Sequence, residues 1–245
     1  MYRLIVCLVL VGWGITLQAQ EARQLLDKSA EAMGKPADLR KLQILHYESK
    51  GIFFANDKKL NVILKHWYEF HDRSRVESTV FFDKQQSTTT VCINGGLGWL
   101  RNDKMPPRAL TNDEIIDSSL DLYANWAVLM QINNERFVDL EKLADLKVQD
   151  TDCFGIRITR RSWGTTDLYF AKSDNLVRAC RYESKIFGRK VSREIHFRSY
   201  KEFSGLKLST EQDWYENSKL KTTITEIKYD FPEKLDPTLF EIPKE

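Results

Sequence analysis

Four histidines, His46, His66, His71 and His196, are the side chains of this sequence best suited to metal binding or proton transfer near neutral pH. A metal site needs three or four donors that converge, and the spacing does not supply them. His66 and His71 stand five apart in one apparent strand, so alternation points them to opposite faces. His46 shares a face with Glu48, but two donors without a third make a poor site. Each isolated strand histidine therefore reads as a structural hydrogen-bonding group. The sequence contains no G-x-S-x-G elbow, H-E-x-x-H helix, phosphate loop or dinucleotide fingerprint. Ser162, beside Trp163 and Gly164, reads as a turn serine. Neither an enzyme nor a cofactor or metal requirement is expected from these residues.

The elements that would carry these side chains are mostly strands. From Cys153 to Phe231 one strand follows another, separated by short turns at Gly164, Ser173-Asp174-Asn175, Gly188, Ser204-Gly205 and Asn217-Ser218. Four more are expected at about Leu42–Phe54, Lys59–His71, Ser74–Asp83 and Gln86–Ile93. Asn94-Gly95-Gly96 then makes a hairpin turn into Gly98-Trp99-Leu100. Two helices interrupt the pattern. The first runs from about Glu21 to Met33, with Leu25, Leu26, Ala30 and Met33 as its apolar stripe and Gly34 and Pro36 as its stop. The second starts at a capping box, Thr111 with Glu114, and continues through Ile115, Ile116, Leu120, Tyr123, Trp126 and Met130 to about Asn133. Phe137–Gln149 reads as a connection, open to being helical in part.

The sum is a mainly β, α+β chain: a strongly curved antiparallel sheet of about ten or eleven strands, with an N-terminal helix and a central helical insert, which either closes or is capped by its helices as by a lid. The sequence shows no linker, repeat or charge block, so residues 20–245 read as one domain. Residues 1–19 read as a signal peptide: Arg3, then the apolar run Leu4–Leu17, then Ala19 as the small residue at the cleavage site. A periplasmic or secreted, monomeric protein is expected. The formal charge of +2 falls to +1 once Arg3 is removed, which argues against a nucleic-acid partner. Arg157, Arg160, Arg161, Arg178 and Arg181 accordingly read as solvated sheet faces. Cys92, Cys153 and Cys180 remain, an odd number without metal-ligand spacing; Cys153 and Cys180 either pair across strands or stay core thiols.

A wide curled sheet has to hide its concave face or enclose something in it. Trp67, Tyr68, Phe70, Phe81, Phe82, Trp99, Trp126 and Trp214 exceed what one small core demands. Along the second strand Leu60, Val62, Leu64, Tyr68 and Phe70 share one face, with His66 among them, while Ile63 and Trp67 fall on the other. From this alternation Val62, Leu64 and Tyr68 are expected to line a ligand cavity. Phe82 is added to them, with Trp126 and Met130 from the lid. A filled interior, in a secreted structural or interaction module, is the alternative.

Ala30-Glu31-Ala32-Met33-Gly34, then Leu39 and Leu42, resembles the opening of LolA-like periplasmic proteins. Ile93-Asn94-Gly95 before Gly98-Trp99 is similar to their strand–turn–Trp hairpin, and Asp167-Leu168-Tyr169-Phe170 with Asn175-Leu176-Val177 to a strand pair, Ala171 standing where Asp is common. Tyr200, Gly205-Leu206-Lys207-Leu208 and Leu235-Asp236-Pro237, Leu239-Phe240 and Pro243 resemble the last strands and tail. The resemblance implies an incomplete β-barrel with a helical lid over an apolar cavity. It also implies a lipid or acylated lipoprotein as cargo and membrane-associated proteins that load or receive it. An arginine near the barrel mouth holds the lid in the lipoprotein carriers; Arg73 and Arg75 lie in a plausible region, but no motif assigns either.

Overall fold

The computed structural model describes residues 19–55, 58–70, 73–103, 105–126, 138–160, 164–186 and 189–243. All of the 1–19 signal segment except Ala19 lies outside them. Helix α1 covers 19–33, α2 is the single turn Pro36–Leu39, and α3 is Asn112–Trp126. The strands are β1 Ile44–Ala55, β2 Lys58–Glu69, β3 Arg73–Phe82, β4 Gln85–Asn94, β5 Leu97–Asn102, β6 Arg108–Ala109 and β7 Val138–Val148. They continue with β8 Thr151–Arg160, β9 Gly164–Ala171, β10 Val177–Ile186, β11 Arg189–Phe203, β12 Leu206–Glu216 and β13 Lys219–Asp230.

All thirteen strands form one antiparallel sheet in the order β6-β5-β4-β3-β2-β1-β13-β12-β11-β10-β9-β8-β7. The sheet is not closed, because β6 and β7 are its two edges. Every neighbouring pair is a hairpin except β1 with β13, where the first and last strands of the chain zip together. Gly51 sits at the irregularity of that pairing, where a Cβ would come within 2.1 Å of the Thr223 carbonyl oxygen. The sequence indicates ten or eleven strands; the structure adds β6 and replaces the expected connection at Phe137–Gln149 with β7. That strand carries Asp139, Glu141, Lys142, Asp145 and Lys147. Charges suit an edge strand, which must refuse further partners, and they hide it from an apolar-periodicity reading.

Burial follows alternation. On β2, Val62, Leu64, His66 and Tyr68 are buried in turn. Register carries the same face through Leu45, Tyr47 and Ser49 of β1 and Ser74, Val76, Ser78 and Val80 of β3. In the other half it carries Trp214, Ile195, Cys180, Leu168 and Ile156 of β12 to β8. We call this the inner face. Helix α1 lies on part of it: Ala22 and Leu26 pack with Ile156, Leu168, Phe170 and Phe197, and Ala30 and Met33 with Leu45, Leu206 and Leu208.

The opposite, outer face explains why Trp67 breaks the apolar pattern of β2. His46, Trp67, Arg75, Cys92 and Trp99 form one row across β1 to β5. The turn Pro237–Phe240 is clipped onto that row: Arg75 donates to the Leu239 carbonyl at 2.6 Å, and Trp99 Nε1 to that of Phe240 at 3.4 Å. The Arg75 guanidinium also faces the Trp67 and Trp99 rings at 5.8 and 5.7 Å. Further round, outward-facing Arg157 pairs with Asp167 at 2.7 Å and Arg181 with Glu194 at 2.9 Å, so these cations balance cross-strand carboxylates. Cys92, Cys153 and Cys180 are buried thiols, none of them in a disulfide. β9 separates Cys153 from Cys180 and the two point to opposite faces, so they cannot pair.

Candidate functional site

The inner face is not filled throughout. Beyond the reach of α1, β2, β3 and β4 face β10 to β13 across a cavity of about 360 Å³, within the range of small-molecule pockets. One wall is Val62, Leu64, His66 and Tyr68 of β2 with Ser74, Val76, Ser78 and Val80 of β3. The facing wall is Tyr182, Ile195, Trp214 and Thr222. Ser118 of α3 also lines it.

The roof helix is held through its first turns. Thr111 and Glu114 form the expected capping box, the Glu114 N–H donating to Thr111 Oγ1 at 3.3 Å and the Thr111 N–H to Glu114 Oε2 at 2.9 Å. Arg108 grips the same carboxylate with two hydrogen bonds, of 2.7 and 3.0 Å, which with the Thr111 amide hold its pKa down at about 2. A Cβ on Gly98 of β5 would lie 2.8 Å from Leu110 and 3.4 Å from Ile115, so the start of α3 rests directly on that strand. One turn on, Asp117 accepts the backbone N–H of Lys185 at 2.8 Å, tying the helix to β10. The helix thus bridges strands that are second and tenth in sheet order, which the curl of the sheet brings near each other.

Charge sits at one end of the cavity. Arg193, Glu216 and Lys221 line it where β12 turns into β13, and Arg193 faces Glu216 at 3.8 Å. The interior is mostly apolar, with hydroxyls from Ser74, Ser78, Ser118 and Thr222. His66 is the exception among the apolar residues of β2. It is 95% buried (5% exposed), stacks on Tyr47 at 4.2 Å, and meets the Tyr68 hydroxyl through Nδ1 at 3.1 Å. Burial, with the neighbouring His46 second, depresses its pKa to about 3, so its ring is neutral at ordinary pH.

Of the residues singled out in the sequence, Val62, Leu64 and Tyr68 are brought together at the cavity. Phe82 has the inner-face parity of β3 but stands at the end of the strand, 44% exposed, and is not among the lining residues. Met130 and the side chain of Trp126 lie outside the described residues. Arg73 and Arg75 point outward: Arg73 lies over the Phe240 ring at 5.2 Å and Arg75 holds the tail, so the arginine at the cavity is Arg193 instead. His46 stacks on Trp67 on the outer face and His196 bonds Glu194 at 2.7 Å, also outward. His71 lies outside the described residues. Among the described residues no three His, Cys, Asp or Glu side chains are grouped to hold a metal ion. The wall from β10 to β13 escaped the sequence reading, since alternation shows which residues share a strand face and not which strands oppose each other across a fold.

Comparison with solved structures places this architecture. A LolA superfamily protein from Nitrosomonas europaea superposes with a TM-score of 0.55 over 90% of this chain and 97% of its own, at 13% sequence identity. The fold is LolA-like. A DUF1329 family protein from Desulfovibrio piger matches the same LolA-like frame with a TM-score of 0.56, covering 91% of this chain and 97% of that one at 12% identity. No family model and no curated protein matches the sequence. Among the described residues no helix is long and apolar enough to cross a membrane.

Proposed function

We propose that this protein is an exported, non-enzymatic carrier or binding protein for the acyl chain of a lipid or lipoprotein in the periplasm. The observation that carries the reading is the hollow itself: about 360 Å³, walled largely by apolar side chains and roofed by a helix that touches the sheet at two separated places. Each methylene buried there contributes about 0.8 kcal/mol. A chain of ten or so methylenes therefore outweighs the several kcal/mol lost on association, with no reaction required. The charged rim at Arg193, Glu216 and Lys221 suits a polar head left near solvent. Membrane-associated proteins would then load and receive the cargo, and α3 would be the element that yields. The filled-interior module is less well supported, because the side chains of the described residues leave this space between them.

The test is titration of residues 20–245 with a solvatochromic acyl probe, alongside Leu64→Trp, which places an indole in the space. The proposal expects saturable enhancement of emission for the native chain and its loss in the variant, with far-UV circular dichroism unchanged. Equal response from both, or from neither, counts against it.

A further inference from the structure

The two ends of the sheet differ in how their charges are balanced. At one end the register sets four hairpin tips side by side around the curl: β3–β4, β1–β2, β12–β13 and β10–β11. On these tips Lys58, Lys59, Lys84, Arg189 and Lys219 are exposed and Lys221 is half-buried, and none of the six forms an ion pair among the described residues. Two further cations there are balanced, Lys185 by Asp113 at 3.3 Å and Lys190 by Glu183 at 3.1 Å, while Glu216 faces Arg193. Asp83 is the remaining carboxylate among the described residues of the four tips. The turns at the opposite end mix the signs: Arg73 pairs with Glu69 and Arg178 with Asp174, each at 2.6 Å, and Lys41 with Asp38 at 2.7 Å.

We infer that the cationic end of the sheet docks on the surface of a bilayer containing anionic phospholipids. A row of like charges repels itself, and an anionic surface turns that repulsion into attraction. Apolar side chains stand among the cations: Phe82 at the β3–β4 tip is 44% exposed and Leu220 at the start of β13 is 37% exposed. Lysine stems together with large apolar groups suit the boundary between headgroups and acyl chains. A soluble polyanion offers the charge without an apolar layer for Phe82 and Leu220. The rim is continuous with the cavity, since Lys221 belongs to both and Arg193 and Glu216 line the same end. The inference rests on the carrier reading for its purpose and adds to it the surface from which cargo enters.

The experiment is co-sedimentation of residues 20–245 with vesicles of phosphatidylcholine alone and of phosphatidylcholine mixed equally with phosphatidylglycerol. The native protein should partition onto the mixed vesicles at least about tenfold more strongly, and lose most of that preference between about 0.1 M and about 0.5 M salt. Lys58→Glu with Lys84→Glu should abolish the preference. Lys201→Glu with Lys207→Glu makes the same change in net charge on exposed residues of the opposite end and should leave it intact. Equal partition onto both vesicles, or onto neither, overturns the inference. So do equal losses in the two double variants, which trace the attraction to net charge, and displacement from the vesicles by an equal charge of soluble polyglutamate, which makes the rim a general polyanion site. Uptake of the acyl probe is read separately: the probe bound without a vesicle preference leaves the carrier reading standing alone, and a vesicle preference without probe uptake overturns the carrier reading and leaves the docking face.

Discussion

Two halves of one inner face are covered by helices of different character. Over β8 to β12, α1 sets Ala22 and Leu26 against Ile156, Leu168 and Phe170, and the half is packed but for a small cavity of about 40 Å³ beside Ser29 and Met33. Facing β2 to β4 across the space, α3 rests on β10 and β9 and is held through its first turns: a capping box, the Leu110 and Ile115 contacts at Gly98, and Asp117 on the Lys185 backbone. Among the described side chains of α3, Ser118 lines the interior there. One half is core in the ordinary sense. The other is a wall and a roof with space between, so the same sheet separates stability from binding.

The contrast makes its strongest demand on matched substitutions. Leu26→Ala, in the packed half, should lower unfolding free energy by about 4 kcal/mol, and Leu64→Ala, beside existing space, by only about 2 kcal/mol. Urea denaturation of the two variants measures this, and equal losses would erase the distinction. Next in size is pH. The folded pKa of His66 is depressed by burial, so the unfolded chain binds the proton more readily below about 6.5. Stability attached to this group is present above that pH and is lost as pH falls toward 3. Between pH 7 and pH 5 the loss is about 2 kcal/mol. It should be missing from the stability profile of His66→Phe, although His46, also lowered chiefly by burial, acts in the same direction and remains.

The outer face offers a control for the inner one. Arg75→Met removes the hydrogen bond to the Leu239 carbonyl and both ring contacts, and should cost between about 1 and 3 kcal/mol without altering acyl-probe affinity. Altered affinity there would mean that the two faces are coupled. Smallest is the roof's own start: Thr111→Ala should cost about 1 kcal/mol in thermal unfolding and speed the dissociation of the probe.

Much of this arrangement can be read from the sequence, and the failures have physical causes. The strand alternation of β2 and the capping box at Thr111 are local signals, and each stands where local chemistry requires it. Gly34 does end α1, but not as the expected left-handed cap: its φ is not positive, and a Cβ there would come within 2.9 Å of the Gly205 carbonyl oxygen and of Leu206. Trp67 spoils the alternation because the C-terminal turn gives that stretch of the outer face an apolar cover, a contact 164 residues away along the chain for Arg75 and Leu239. β7 was invisible because an edge strand is charged. Phe82 was added as an aromatic; it shares the inner-face parity of β3 but stands at the strand's exposed end, and the sequence does not say how far along a strand the cavity reaches. His66 reads as a structural histidine, and its stacking on Tyr47 and its contact with the Tyr68 hydroxyl match that reading; that it also lines the cavity is a tertiary fact.

The most direct trial of the central claim, an apolar hollow that accepts an acyl chain, is native mass spectrometry of residues 20–245 purified from a bacterial periplasm, with analysis of the organic extract. The account predicts a bound species at the mass of one acyl lipid, lost on extraction and absent from Leu64→Trp. A spectrum holding only the bare polypeptide, with an extract free of lipid, would contradict it.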